Sequence, residues 1–137
     1  MVSRAPAALV LAAAAGIGLA PGAGAQSESL GTDDRGFIDT SARCEQPTFA
    51  VAFGRTQRSL VAICVQDGVY EYRGVRLRDE AFLTADAVAI GDGRFSAENG
   101  GVTYTFSAKE LVVTVGDRVV RNEPMVAYVE PRLAAEE

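Results

Sequence analysis

The 137-residue chain has no histidine and no tryptophan, only two cysteines, and a single lysine, Lys109. Each shortage excludes chemistry. Without histidine there is no Ser-His-Asp or Cys-His catalytic arrangement. Imidazole-ligated zinc, copper and haem sites are excluded with it, and two thiols cannot make a four-cysteine zinc site. The net charge is −5. That balance argues against a nucleic-acid partner, which calls for a basic face. The length suits one domain rather than two.

What is present begins with a leader. Arg4 precedes an unbroken apolar or small run over residues 7–20 (AALVLAAAAGIGLA), and Ala23-Gly24-Ala25 follows Pro21-Gly22. A basic start, an apolar stretch and an A-x-A site describe a secretory signal peptide, here residues 1–25. The run falls short of the roughly 18 to 20 residues that span a bilayer, so an uncleaved anchor is the lesser alternative. No cysteine stands at the cleavage site and no Arg-Arg pair precedes the run, which favours the general secretory route over lipidation or twin-arginine export. Cleavage removes Arg4 and leaves 12 basic against 18 acidic residues, a charge of −6. No second apolar run reaches membrane length, so no transmembrane segment is expected after cleavage. The expected location is secreted or in the extracytoplasmic envelope, and the Arg- and Ala-rich composition suggests a bacterium with a GC-rich genome.

Export permits disulfides. Cys44 and Cys64 are the only possible pair. A bridge would close a loop of about 20 residues, worth roughly 3 kcal/mol in the chain-entropy view. The alternative is two separate buried thiols, since Cys64 lies in an apolar run.

Residues 26–43 carry few apolar side chains and read as a flexible lead-in, with Phe37 and Ile38 as the residues able to dock. From Cys44 the apolar period becomes two and turn signals become dense. Residues 48–54 place Phe49, Val51 and Phe53 on one face, and residues 58–66 are apolar on both faces. Asp67-Gly68 predicts a two-residue hairpin pairing Val65 with Tyr70 and Ile63 with Tyr72. Gly74 interrupts the next strand and suggests a bulge or bend. Residues 79–85 are hard to read, and residues 87–90 suggest a short strand. Asn99-Gly100 predicts a hairpin setting Ala97 against Val102 and Phe95 against Tyr104. Strands are also expected around Leu111, Arg118 and Met125, with a frayed tail over residues 132–137.

The expectation is an all-β domain over residues 44–131, of about eight short strands and no helix. Consecutive hairpins imply an antiparallel meander that hides its edges by curling into a small barrel or folding into a two-layer sandwich. Phe49, Phe53, Tyr72, Phe95, Tyr104 and Phe106 are expected in the core. Leu60, Val61, Ile63, Val113 and Val120 should join them.

Few constellations carry chemistry. Arg73, Arg76 and Arg78 flank Gly74 beside Tyr70 and Tyr72 and form the one candidate ligand-binding stripe, suited to an anionic envelope glycan or phospholipid head group. The plainer reading is a solvated, charge-protected strand. The tyrosines at 70, 72, 104 and 128 suit a sugar-stacking platform or, more simply, a core. Glu71, Glu80, Glu98 and Glu110 offer no spacing that singles out a glycosidase-type pair. Asp86, Asp92 and Asp117 do not form a calcium loop. Val61-Ala62-Ile63-Cys64 lacks the lysine of the kinase strand it echoes, and no phosphate loop accompanies it. No catalytic residue, metal or cofactor is therefore expected.

Three stretches carry a resemblance: residues 70–79 (YEYRGVRLRD), residues 99–104 (NGGVTY) and Glu123-Pro124-Met125. Together they resemble a family of small exported actinobacterial, especially mycobacterial, proteins of unknown function, over about residues 44–131. Related modules occur at the outward-facing C-terminal ends of some membrane Ser/Thr kinases. The resemblance implies an envelope setting and supplies no catalytic residues. The leading expectation is a non-catalytic secreted β-domain that binds an envelope ligand or a protein partner. A carrier of a small apolar ligand in the barrel mouth is the alternative, with a carboxylate-based hydrolase behind it.

Overall fold

The computed structural model describes residues 30–131. The expected signal peptide, residues 26–29 and the tail 132–137 lie outside the described residues. Eleven strands run from Thr32 onward, and no helix occurs among the described residues. They are β1 (Thr32–Asp33), β2 (Gly36–Phe37), β3 (Phe49–Arg55), β4 (Ser59–Gln66), β5 (Val69–Arg76) and β6 (Phe82–Gly91). The remainder are β7 (Arg94–Asn99), β8 (Val102–Phe106), β9 (Glu110–Val115), β10 (Arg118–Pro124) and β11 (Ala127–Val129).

Strands β1 and β2 form a small hairpin, and the other nine form one antiparallel sheet in the order β10-β9-β8-β7-β6-β5-β4-β3-β11. The meander keeps sequence neighbours adjacent, except that β11 crosses to the far edge beside β3. The sheet is strongly curled into a half-barrel, so the all-β expectation holds. The curl is measured by Phe106 in β8 and Tyr128 in β11. Five strands separate them within the sheet, yet their ring centroids lie 5.7 Å apart.

The β4–β5 hairpin has the expected register, Val65 opposite Tyr70 and Ile63 opposite Tyr72. Asp67 and Gly68 both take positive φ, as a type I′ turn requires. The β7–β8 hairpin does not follow expectation. Gly100 and Gly101 form its loop, so Asn99 pairs with Val102 and Ala97 with Tyr104. Two adjacent glycines tolerate two positive φ angles better than Asn99-Gly100 does. The slip is two residues, so every side chain keeps its face.

Strands β3–β5 are buried on both sides. On the concave side Val61, Ile63, Tyr72, Phe106, Leu111 and Val113 pack together. On the convex side Phe37, Phe53, Leu60, Ala62 and Val75 do so, around Cys44 and Cys64. Those cysteines are bridged. The folded unit thus begins before Cys44. Phe37 is buried against Phe53 edge-to-face at 5.3 Å, and Ala42 is also buried, while Ile38 faces solvent. Of the expected flexible lead-in over residues 26–43, the part from Thr32 onward is thus folded onto the sheet. The segment is polar, but one buried aromatic and a disulfide help to dock it.

Two expected core residues are exposed, Phe49 and Val120. Bulges account for both. The β3–β4 register shifts between Ala50 and Ala52, and the β9–β10 register shifts between Val119 and Arg121. An inserted residue reverses the alternation on which the expectation rested. Gly74, by contrast, lies in uninterrupted register with both neighbouring strands and marks no bulge. Its role is steric, because a Cβ there would stand 2.8 Å from Tyr72 Cε1. Residues 82–91 form one long strand that the sequence only hinted at. Its inward residues Leu83, Ala85 and Ala87 are mostly small, so the apolar alternation is faint.

The two sheet edges are tied where the chain passes from β10 to β11. The Met125 N–H donates to Lys109 O at 2.9 Å, and the Val126 N–H donates to Arg55 O at 2.7 Å. Beneath this strap the buried Thr56 hydroxyl donates to Glu123 Oε1 at 2.7 Å and accepts from the Arg58 and Ser59 N–H groups. Gly54 permits the approach, since a Cβ would meet Met125 Sδ at 2.7 Å.

Candidate functional site: an arginine-lined cleft at one end of the half-barrel

The three arginines of the sequence stripe do not act together. Alternation along β5 sends Tyr72, Gly74 and Arg76 to one face and Glu71, Arg73 and Val75 to the other. Arg73 is buried on the convex side, with Nε donating to Ser41 O at 3.0 Å. Its terminal nitrogens meet Glu71 at 3.3 Å and Glu45 at 3.6 Å, and its guanidinium lies 5.0 Å from the Phe82 ring centre. Arg73 therefore clamps the N-terminal segment to the sheet. It is committed to structure, not presented to a ligand.

Arg76 and Arg78 are exposed beyond Gly74. They join two residues that sequence proximity could not connect to them. Arg58 follows the β3–β4 turn, and Arg121 lies near the β10 bulge. All four line one groove of about 510 Å³, with Gln57, Ser59 and Leu77. A second groove of about 370 Å³ continues along β10 past Asn122 and Pro124 to Val126, sharing Arg58 and Arg121. A third, narrower recess of about 120 Å³ shares Arg76 and Arg121 and runs inward between Tyr72, Leu83, Tyr104 and Leu111.

Two carboxylates face these cations. Asp79 accepts from Arg76 Nε and Nη2 at 2.9 and 3.0 Å. That hydrogen bonding, and a further one from the Ala81 N–H, holds the Asp79 carboxyl down at about 2. Glu123 is buried and sits 3.1 Å from Arg121 Nε, while its other oxygen takes the Thr56 hydroxyl. Four guanidinium groups against two carboxylates leave the cleft net positive, in a chain whose total charge is −5. The Tyr72 phenol projects toward this end of the interior. Burial is the main cause that raises its pKa, with the neighbouring Tyr104 and Glu123 adding to it.

The tyrosines serve mainly as core. Tyr70 packs on Phe95 and Tyr72 on Tyr104, each at 5.3 Å between ring centres. Among the described residues no group of three or more acidic or sulfur side chains is placed to hold a metal ion. No helix of the described residues is long and apolar enough to cross a membrane.

No family model, curated protein or solved structure matches this chain.

The cleft therefore has to be read from its own chemistry. A concave, cationic surface favours an oxyanion, because guanidinium forks bind carboxylate or phosphate through paired hydrogen bonds. Sequence reasoning missed Arg58 and Arg121 because they stand 18 and 45 residues from Arg76. The only signal that could have found them is the meander itself, which returns β10 to the open end of the sheet.

Proposed function

We propose that this chain is a non-catalytic, extracytoplasmic binding module. Its arginine-lined cleft takes an anionic group of an envelope component or protein partner. The observation that carries the reading is the convergence of Arg58, Arg76, Arg78 and Arg121 on one groove of a net acidic chain. The Cys44–Cys64 bridge is compatible with an oxidising compartment, and the leader supports export to one. The choice of binding over catalysis rests on the absence of histidine and on the ion pairing of both cleft carboxylates.

A carrier for a whole apolar ligand is less well supported. Arginines line all three grooves, and the recess of about 120 Å³ is well under the roughly 300 to 1,000 Å³ of ordinary small-molecule sites. The test is retention on isolated cell envelopes. Arg76→Glu with Arg78→Glu should weaken retention, and wild-type retention should fall as salt rises. The paired control is Arg94→Glu with Arg118→Glu, which changes net charge equally outside the cleft and should leave retention intact. Equal retention of all three proteins would overturn the assignment.

A further inference from the structure

The trough beside β10 runs along a strand edge, not over a strand face. Side chains alternate between faces along a strand, so a groove on one face touches every second residue. The groove of about 370 Å³ touches five successive residues, Val120–Pro124, and then Val126. Gln57 and Arg58 form its other wall. β10 is an end strand of the sheet, and among the described residues no further strand pairs with its outer side. The hydrogen bonds of the strap fix which backbone groups face outward. The Met125 N–H points toward β9 and donates to Lys109 O, while the Val126 N–H points the other way and donates to Arg55 O. Backbone direction alternates along an antiparallel strand, so Arg121 and Glu123 turn toward β9, and Asn122 and Pro124 turn outward. The register is regular over this stretch, since the bulge precedes Arg121. Proline has no N–H, which suits it to an unpaired edge position. The Asn122 N–H and C=O and the Pro124 C=O therefore open onto the trough.

The larger groove, of about 510 Å³, continues from the same Gln57, Arg58 and Arg121 to Arg76 and Arg78. Among the described residues Arg58 and Arg78 form no ion pair. Resting on the reading of the cleft as an anion site, we infer that its ligand is an extended acidic peptide segment of a protein partner, added as a strand to the outer edge of β10. The peptide backbone pairs with Asn122 and Pro124 and so extends the ladder that Val126 and Arg55 begin. Its carboxylates lie on Arg58 and Arg78. Running antiparallel to β10, it carries the acidic residues after the pairing residues, because the arginine groove meets β10 at Arg121. Val120 and Val126 are 44% and 58% exposed beside the pairing residues and favour β-branched side chains there. A glycan or lipid phosphate would use the arginines and leave the Asn122 backbone idle.

The probe is a capped octapeptide with alternating threonine and valine in its first half and glutamate in its second. Tripolyphosphate serves as an anion without a peptide backbone. NMR titration of the disulfide-bonded protein at low salt reads both affinities. The peptide should bind and, at saturation, slow hydrogen exchange of the Asn122 amide about tenfold. Two versions N-methylated at alternate amides, offset by one residue, should differ about tenfold in affinity, because only one sets its methyl groups against β10. Arg58→Glu with Arg78→Glu should weaken the unmethylated peptide about tenfold. Asn122→Pro removes the outward N–H and spares the β9 ladder, so it should abolish peptide binding and keep tripolyphosphate binding. If that variant does not fold, the difference between the two methylated peptides decides the question. Equal binding of the methylated peptides would overturn strand addition and leave the anion cleft standing. Tripolyphosphate binding without peptide binding would do the same and assign the cleft to a phosphate-bearing glycan or lipid. Binding of neither probe would overturn both.

Discussion

Replacing Thr56 by valine tests the strap that ties the two edges of the half-barrel. Valine preserves the shape of the side chain and removes its hydroxyl. In the folded protein that hydroxyl donates to Glu123 Oε1 at 2.7 Å and accepts the Ser59 N–H at 2.9 Å and the Arg58 N–H at 3.0 Å. Thr56, Ser59 and Glu123 are all buried, so water cannot readily replace these partners. Losing a hydrogen bond to a buried carboxylate costs about 1.5 to 3 kcal/mol, and an orphaned buried N–H adds about 1 to 3. Arg58 is exposed, so its N–H contributes less. Allowing for relaxation, the expected loss is about 3 kcal/mol. For a domain of this size that corresponds to a fall in Tm on the order of 15 °C. Urea unfolding followed by circular dichroism measures it directly, with an unchanged slope showing that the unfolded state is not involved. Thr56→Ser, which keeps the hydroxyl, should cost under about 1 kcal/mol. A Thr56→Val/Glu123→Gln cycle should show coupling of about 1 kcal/mol or more. A loss below about 1 kcal/mol in Thr56→Val would refute the idea that this contact holds the edges together.

Three further outcomes follow from the same contacts. Phe37→Ala should destabilise by about 3 to 5 kcal/mol in chemical denaturation, because Phe37 is buried against Phe53; a near-neutral effect would return residues 32–43 to the status of a loose lead-in. Cys44→Ala with Cys64→Ala should cost about 3 kcal/mol by calorimetry, as expected for a closed loop of this length. The Asp79 carboxyl should titrate near 2 when its carbon resonance is followed by NMR, because Arg76 stabilises the ionised form. Its folded pKa lies below the unfolded value near 4, so the Arg76–Asp79 pairing is complete above about pH 4 and is lost as pH falls through about 2. A midpoint at 4 would show that the pair does not form.

The period-two pattern and the turn residues specify the all-β meander, because both are local properties. Asp67-Gly68 sets the β4–β5 register by itself, since positive φ at two adjacent residues leaves few alternatives. Where local signals compete, the reading slips. Asn99, Gly100 and Gly101 offer two possible loops, and the structure takes the pair of glycines. Bulges defeat alternation in β3 and β10 for the same reason in reverse. Which residue is inserted depends on how two strands pair, and neither strand encodes that alone. The candidate site divides along this line. Arg73, Arg76 and Arg78 stand together around Gly74 in the sequence, but strand alternation separates Arg73, which is buried on the convex side, from Arg76.

The sequence by itself determined the chemistry that is absent. A chain without histidine and with one cysteine pair has those limits whatever its fold. It also determined the strand character and the single possible disulfide. Only the tertiary structure decided which cations share a surface. Curling a nine-stranded sheet brings β10 back toward β3–β5, so Arg121 meets Arg58 and Arg76 across the open end. The physical reason is that a sheet's side-chain faces follow from local alternation, whereas its closure depends on twist, bulges and the packing of small residues such as Gly54 and Gly74. Those act between strands distant in sequence.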